Sequence, residues 1–372
     1  MTKVQDLENQ ALSRREALGR VAGAGLGILS VLRGGFGSVQ LLAQGAAAST
    51  PANPRPNPNF PMVPSWNTEL RPLAPNVYAY IQAGGPGIVN AGISNAGVIV
   101  GDDHWLAIDA LGAPLQTKAF IAAARQATGK PCGRLVNTHH HGDHVTGNQF
   151  FLPAEIVSHE YCRQEVAKMA AAVPAGSKFD RREGYADGTE DRKVAVPITT
   201  FNDRVTYYYG NTRVEFISIG PAHTWGDVMA YLPQYRILFA GDVFFNYVVP
   251  FGQNAHITKW LEAVDTINKM DVETIVPGHG PIGNKKELAD MAQYYVILRR
   301  EVRKRFDAGM TPGRAIADIT MGKYDNWIGP EQIIRNVVRL YAEFNGTLVP
   351  DILTDANRIA TEEYNAIKAG KR

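Results

Sequence analysis

Thr138-His139-His140-His141-Gly142-Asp143-His144 is the stretch on which the reading of this chain turns. Residues 139 to 144 offer four imidazoles and one carboxylate, directly after Arg134-Leu135-Val136-Asn137, an apolar run that reads as a strand ending on a turn. Neutral imidazole and ionised carboxylate are the donors that a borderline divalent cation such as zinc prefers. Side chains alternate along extended backbone, so His139 and His141 point to one side. Gly142 is then expected to let the chain turn, carrying Asp143 and His144 to a second point. A basic surface loop or a chance histidine cluster is the plainer reading, and the downstream residues weigh against it.

Three more positions continue the pattern. His223 stands in Gly220-Pro221-Ala222-His223-Thr224-Trp225-Gly226-Asp227, Asp242 in Phe239-Ala240-Gly241-Asp242, and His279 in Pro277-Gly278-His279-Gly280. Each follows a strand-like run: Glu215 to Ile219, Ile237 to Ala240, and Thr274 to Val276. Loops after strands are where a sheet scaffold presents reactive groups. One such His or Asp is more often structural than a ligand; three in this order and company are not. The set HxHxDH, then a lone His, a lone Asp and a final His, resembles the metallo-β-lactamase-fold hydrolases, over about Val77 to Ile282.

That resemblance implies an α/β chain folded as an αβ/βα sandwich: two sheets face to face, helices outside, and the site at one edge. It implies one metal held by His139, His141 and His223, a second by Asp143, His144 and His279, and Asp242 bridging them. The cofactor expected is two Zn2+ per chain, with iron or manganese as the other metals such donors accept. Two cations lower the pKa of a shared water from ~16 towards ~7, so that a bridging hydroxide attacks an electrophilic carbon. Asp143 is the expected catalytic side chain, orienting that nucleophile or passing a proton to the leaving group, and Asp109 is expected to hold a ligand histidine from behind. Asp242, where true β-lactamases of the fold carry Cys or Ser, points to the glyoxalase II and lactonase branch. The glutathione-binding stretch of glyoxalase II is missing, with Phe244-Phe245-Asn246-Tyr247-Val248-Val249-Pro250-Phe251 in its place. Lactonases carry a Tyr where this chain has Phe245, and Tyr247 is the candidate to replace it. Phe244, Phe245 and Phe251 suit a small-molecule substrate with an apolar acyl or lactone group. The reaction expected is hydrolysis of a carboxylic ester, lactone or thioester; β-lactamase-type amide hydrolysis and a mononuclear iron persulfide dioxygenase are the alternatives. His104, His140, His159 and His256 receive no role.

Residues 1–49 read as an export signal. Arg14-Arg15 precede Val21 to Leu32, an apolar run too short for the ~20 residues of a membrane span, and Ala46-Ala47-Ala48 offers a cleavage site. Twin arginines point to the Tat route and a periplasmic or secreted protein, although Ala17 stands where that route prefers Phe. Gly23 to Gly27 only hints at a dinucleotide fingerprint: Ile28 breaks it and no strand precedes it. The whole chain has 38 basic and 36 acidic side chains. Without its first 49 residues it is balanced at 33 of each. That balance provides no excess of basic charge for nucleic acid. No segment is apolar enough for a stable membrane span. Cys132 and Cys162 are too few for a disulfide framework, and they either pair or stay free.

Residues 50–66 form a Pro-rich linker or wrapping arm, with six prolines from Pro51 to Pro64. The catalytic domain is placed at 67–284. Val77 to Ile81, Ala96 to Val100 and Trp105 to Asp109 read as strands, and Leu115 to Thr128 as a helix stopping near Gly129. Gly92 to Gly97 has the wrong spacing for a serine nucleophile elbow. Residues 172–203, rich in Pro, Gly and charge, read as a solvated loop or a lid over the cleft. Residues 285–372 form a helical C-terminal extension, with Thr311-Pro312 as a helix start, that serves as packing, substrate wall or homodimer contact.

Overall fold

Trp105-Leu106-Ala107-Ile108 shows how the layers arise. Leu106 and Ile108 face a second sheet, whereas Trp105 and Ala107 pack under a helix, the period-two alternation of a strand buried on both faces. The computed structural model describes residues 56–88, 93–181 and 184–370, and the backbone of Val39–Gln40. The export segment expected over 1–49 otherwise lies outside the described residues.

The first sheet has eight strands in chain order: β1 (Val39–Gln40), β2 (Glu69–Ala74), β3 (Val77–Ile81), β4 (Ala96–Val100), β5 (Trp105–Ile108), β6 (Cys132–Asn137), β7 (Glu155–His159) and β8 (Thr199–Phe201). It is antiparallel as far as β5 and parallel from β5 to β8. The parallel steps need crossovers, and helices α1 (Pro114–Thr128) and α3 (Glu160–Ala172) supply two of them. Helix α1 starts on Pro114 and stops at Gly129, whose φ of 69° closes the last turn onto the Arg125 carbonyl. The second sheet runs β13 (Thr274–Val276), β12 (Ile237–Phe239), β11 (Val228–Leu232), β10 (Thr212–Ser218), β9 (Arg204–Tyr209), with only β12 and β13 parallel.

The two sheets face each other across one apolar layer, in which Ile99, Leu106, Ile108 and Val136 meet Val214, Phe216, Ala230 and Phe239. Gly97 of β4 lies under Phe239 of β12, so closely that an added Cβ would stand 2.6 Å from the ring. Outside the first sheet, Phe120 and Ala124 of α1 cover Trp105, Val98 and Leu135. Outside the second, α4 (Ile257–Lys269), α5 (Lys285–Asp307), α6 (Pro312–Asp318) and α7 (Ile333–Asn345) share one core with Met229, Leu238 and Ile275. This is the expected sandwich with its C-terminal helices, which continue the outer layer of the second sheet. The last helix, α8, spans Thr354–Gly370.

Two local details follow from the structure. Thr311 stands at the N-cap of α6, but its hydroxyl donates to Glu363 Oε1 on α8 at 2.7 Å and caps nothing. Cys132 and Cys162 do not pair. The Pro-rich arm is held at 57–61 by Asn326, whose Nδ2 donates to the carbonyls of Asn57 and Phe60 at 2.9 and 2.7 Å. No described helix is long and apolar enough to cross a membrane.

Candidate metal centre

Strand β6 delivers the histidine stretch to the edge where the two sheets meet. Past Asn137 the chain bends at Thr138 and His139, is extended at His141, which has φ −65° and ψ 148°, and then enters the one-turn helix α2 (Gly142–Val145). His139 and His141 fall in one group of donors, while Asp143 and His144 lie on the new turn. Gly142 is not needed for this change of direction: it takes no positive φ, and an added Cβ would meet only Thr146 Cγ2 at 3.7 Å. His223 follows β10, Asp242 follows β12 in a short 3-10 turn, and His279 follows β13. One sheet thus supplies four of the seven side chains and the other sheet three.

The seven gather into two groups, His139, His141, His223 and Asp242, and Asp143, His144 and His279, the donor atoms of each lying within 4.8 Å of one another. His223 Nε2 stands 2.8 Å from His141 Nδ1, and His144 Nε2 stands 3.5 Å from His279 Nε2. Asp242 sits between the groups: its Oδ2 is 3.1 Å from His223 Nε2 and 3.3 Å from His279 Nε2. Asp143 Oδ2 is 3.2 Å from His279 Nε2. The Asp242 side chain is 3% exposed and that of Asp143 39%, so only the latter faces outward.

Neighbours fix which nitrogen each ring presents. Asp109, with a φ of 62°, takes the Thr138 N–H and hydroxyl on its two oxygens, at 2.7 Å each, and His144 Nδ1 at 2.8 Å. A carboxylate only accepts, so His144 carries a proton on Nδ1 and turns Nε2 to the site. Thr138 Oγ1, already donating to Asp109, faces His139 Nδ1 at 3.1 Å and leaves His139 Nε2 bare. Asn254 donates through Nδ2 to the Pro350 carbonyl, so its Oδ1 accepts from His141 Nε2 at 2.9 Å and leaves His141 Nδ1 bare. The expected supporting role of Asp109 is realised. That of Asn254 was missed, because nothing local marks a residue so distant in sequence as the partner of His141. Gly278 makes room for Asp242: an added Cβ would lie 1.9 Å from Asp242 Oδ1.

This arrangement is repulsive unless positive charge lies inside it. Burial pushes His139 well below its ordinary pKa, helped by His144, and with His223 it pushes His141 down to about 4, so both are neutral ligands. Burial would likewise lower His144 and His279, but Asp242 and Asp143 override it, joined at His144 by Asp109. They hold His144 well above its ordinary value and His279 up to about 10. Burial raises Asp242, yet His279, His144, His223 and His139 outweigh it and keep the carboxyl well below the usual range. His139 Nε2 is buried and finds no hydrogen-bond partner. Bare imidazole nitrogens converging on ionised carboxylates fit divalent cations, whose binding would displace the protons on His144 and His279.

The chain matches the family described as the Metallo-beta-lactamase superfamily over residues 89–279. It belongs to that superfamily. Among its relatives, a linear primary-alkylsulfatase from Pseudomonas sp. (strain ATCC 19151) is 21% identical over 245 residues, 55% of this chain and 46% of that protein. A metallo-beta-lactamase type 2 from Bacillus cereus is 23% identical over 57% of this chain and 77% of its own length. A hydroxyacylglutathione hydrolase from Brucella anthropi is 29% identical over 41% and 47% respectively. The chain thus spans about half the length of two of these three. Among solved structures, a metallo-beta-lactamase from Pontibacter korlensis superposes with a TM-score of 0.51 at 19% identity, over 62% of this chain and 99% of that one. The inverting sec-alkylsulfatase Pisa1 from Pseudomonas sp. superposes at 0.54 and 18% identity, over 75% and 50%. These superpositions share the fold.

In this member of the superfamily a cavity of about 240 Å3 opens beside Asp143. Ile93, Ala113, Pro114, Phe179 and Tyr185 give it apolar walls, and Gln82, Gln116 and Arg192 give it polar ones. The 172–203 loop therefore contributes part of the cavity wall. The phenylalanines expected to hold substrate do not line it. Phe244 and Phe245 are buried in the core, and Phe245 lies parallel to His279 at 4.9 Å, propping the ring. Phe251 meets the edge of His141 at 6.2 Å. The short turn after Asp242 directs these residues inward, so their closeness in sequence misled. Tyr247 packs on Trp327 at 6.3 Å, facing a different hollow. Of the histidines without a role, His104 packs on Tyr209 and His159 accepts the Tyr161 N–H at the start of α3.

Proposed function

We propose that this superfamily member is a two-zinc hydrolase of a carboxylic ester, lactone or thioester. The observation that carries the reading is Asp242, a buried carboxylate within reach of both groups of donors. His139, His141 and His223 would hold one ion, Asp143, His144 and His279 the other, and Asp242 would touch both. When bound, the pair supplies an acidified water and a Lewis acid for the scissile carbonyl. The chain's own residues do the rest. Asp109 and Asn254 keep two ligand rings in the binding tautomer, so little reorganisation precedes binding. Asp143, the outward-facing carboxylate, orients the attacking water and carries its proton to the departing oxygen or sulfur. The Ile93, Phe179 and Tyr185 walls hold an apolar acyl group beside it and exclude water from it.

The test joins metal analysis of the purified protein to rates on one lactone, one thioester, one cephalosporin and one alkyl sulfate. Two zincs per chain with turnover of the lactone or thioester support the reading. Efficient opening of the cephalosporin alone, or cleavage of the alkyl sulfate alone, overturns the substrate class. One iron per chain with persulfide oxidation overturns the reaction.

A further inference from the structure

Ser94 and Asn95, just ahead of β4, are polar and almost completely buried. Buried polar groups are kept only where they find partners, and both find them on the segments that carry metal-site donors. The Ser94 hydroxyl donates to the backbone carbonyl of Asp143. The Ser94 backbone also pairs with that of His279 in an isolated antiparallel bridge. One serine thus touches two of the three residues in the Asp143, His144 and His279 group.

Asn95 grips the His279 loop beside it. Its backbone N–H donates to the Gly278 carbonyl at 2.7 Å, and its Nδ2 donates to the carbonyls of Pro277 at 3.0 Å and Gly280 at 2.8 Å. Its Oδ1 accepts the backbone N–H of Gln82 at 3.1 Å, while Gln82 Nε2 donates to the Ser94 carbonyl at 2.6 Å. A primary amide offers two donors and an acceptor on one planar group, and Asn95 uses all three. A carboxylate here would turn an acceptor towards two carbonyls.

These bonds cross between the sheets. Strands β4 and β6, which lead from Asn95 and into Asp143, belong to the first sheet; β13, which leads into His279, belongs to the second. Asp143 Oδ2 and His279 Nε2 stand 3.2 Å apart, so any slip of one loop against the other changes the spacing of these two donors. The third member, His144, is held separately by Asp109. Among the described residues, neither the Ser94 nor the Asn95 side chain bonds to the segments that carry His139, His141 or His223.

We propose that Ser94 and Asn95 are positioning residues for one of the two ions, fixing Asp143 and His279 at the spacing it needs. This rests on the proposed reading of Asp143, His144 and His279 as the ligands of one ion, and it holds whichever bond the centre cleaves.

The test measures bound zinc per full-length chain against free zinc set by a chelator buffer, with Tm alongside, for wild type, Ser94→Ala and Asn95→Asp. Wild type is expected to bind two ions. One of them should need about 10-fold more free zinc in Ser94→Ala and about 100-fold more in Asn95→Asp, the range over which partners of metal ligands act. The other ion should keep its wild-type affinity. Ser94→Ala, which removes a single oxygen atom, decides the matter where Asn95→Asp does not fold. It is repeated in the His279→Ala background, where the remaining zinc should not respond because the group that Ser94 serves is already disabled. Zinc that weakens further in that background, or two zincs weakened equally, shows a general structural role and overturns the proposal. Unchanged affinities, whatever the Tm, overturn it too. A wild type that binds one ion overturns the two-ion reading itself, and the proposal with it.

Discussion

Asp109 Oδ2 accepts the Nδ1 proton of His144 at 2.8 Å, and the same carboxylate anchors Thr138 just before the histidine stretch. Asp109 does so from a left-handed backbone, a conformation that Asn tolerates nearly as well as Asp. Asp109→Asn should therefore fold, yet its amide can present a donor to His144 and spoil the tautomer. Metal affinity at the Asp143, His144 and His279 group is expected to fall about 10- to 100-fold, with Tm nearly unchanged. Competition titration against a chelating dye reads this, and an unaltered affinity would show that Asp109 serves only the fold.

His279 contributes its ring to the second group while Phe245 stacks on its face. His279→Ala should lower bound zinc from about two per chain towards one and cut turnover by at least about 100-fold, since the charge of both ions sets the acidity of the attacking water. The excised ring leaves a gap against Phe245 that costs about 2 kcal/mol of stability, so the variant remains folded. Two zincs and normal turnover in His279→Ala would refute the assignment.

Gly278 is the tightest approach to the centre. Its added Cβ would collide with Asp242 Oδ1 at 1.9 Å and with the Gly241 carbonyl carbon at 2.7 Å, and backbone cannot swing aside as a side-chain tip can. Gly278→Ala should displace Asp242 and weaken both ions together, whereas His279→Ala affects one group first. Stepwise metal titration of the two variants separates these outcomes; loss of a single ion in Gly278→Ala would contradict the placement of Asp242 between the groups.

Glu155 tests the sandwich away from the centre. Thr199 Oγ1 donates to it at 2.7 Å and Arg134 Nε at 2.7 Å, and these bonds hold its carboxyl below the ordinary 4.5. Arg134 also lies over the Tyr207 ring at 4.3 Å and donates to the Tyr209 hydroxyl at 3.3 Å, so the group ties β6 and β7 to β9 in the other sheet. A carboxyl depressed by folding stabilises above its unfolded pKa, and the contribution disappears as pH falls through the folded value. Wild type should exceed Glu155→Gln by under about 1 kcal/mol near neutral pH, because the side chain is partly exposed. The gap should close as pH falls below about 4.5. Denaturant unfolding across pH 3 to 7 measures it, and a gap independent of pH would exclude the charge as its source.

The centre was legible because its donors are chemically distinctive and four of them are crowded into six residues. The strands were legible because strands buried on both faces write short continuous apolar runs. What escaped was direction. Phe244 and Phe245 follow Asp242 in sequence, but the turn sends them into the core. Asn254 meets His141 only through the path of the intervening chain, which no local pattern encodes. Gly142 is a residue type that lets a chain turn, yet the helix start alone makes the turn.

Four donors come from one sheet and three from the other, and this makes Gly97 a distant determinant of the chemistry. Phe239 lies on Gly97, and Asp242 is three residues further along the same chain. A methyl group added at Gly97 would lift Phe239, tilt one sheet against its neighbour and pull Asp242 out of alignment with donors that have not moved. A survey that scores only lost turnover would rank such a position beside His279, although it never comes near a substrate. Measuring metal content and folding for each inactive variant would distinguish the residues that perform the reaction from those that keep its two halves in register.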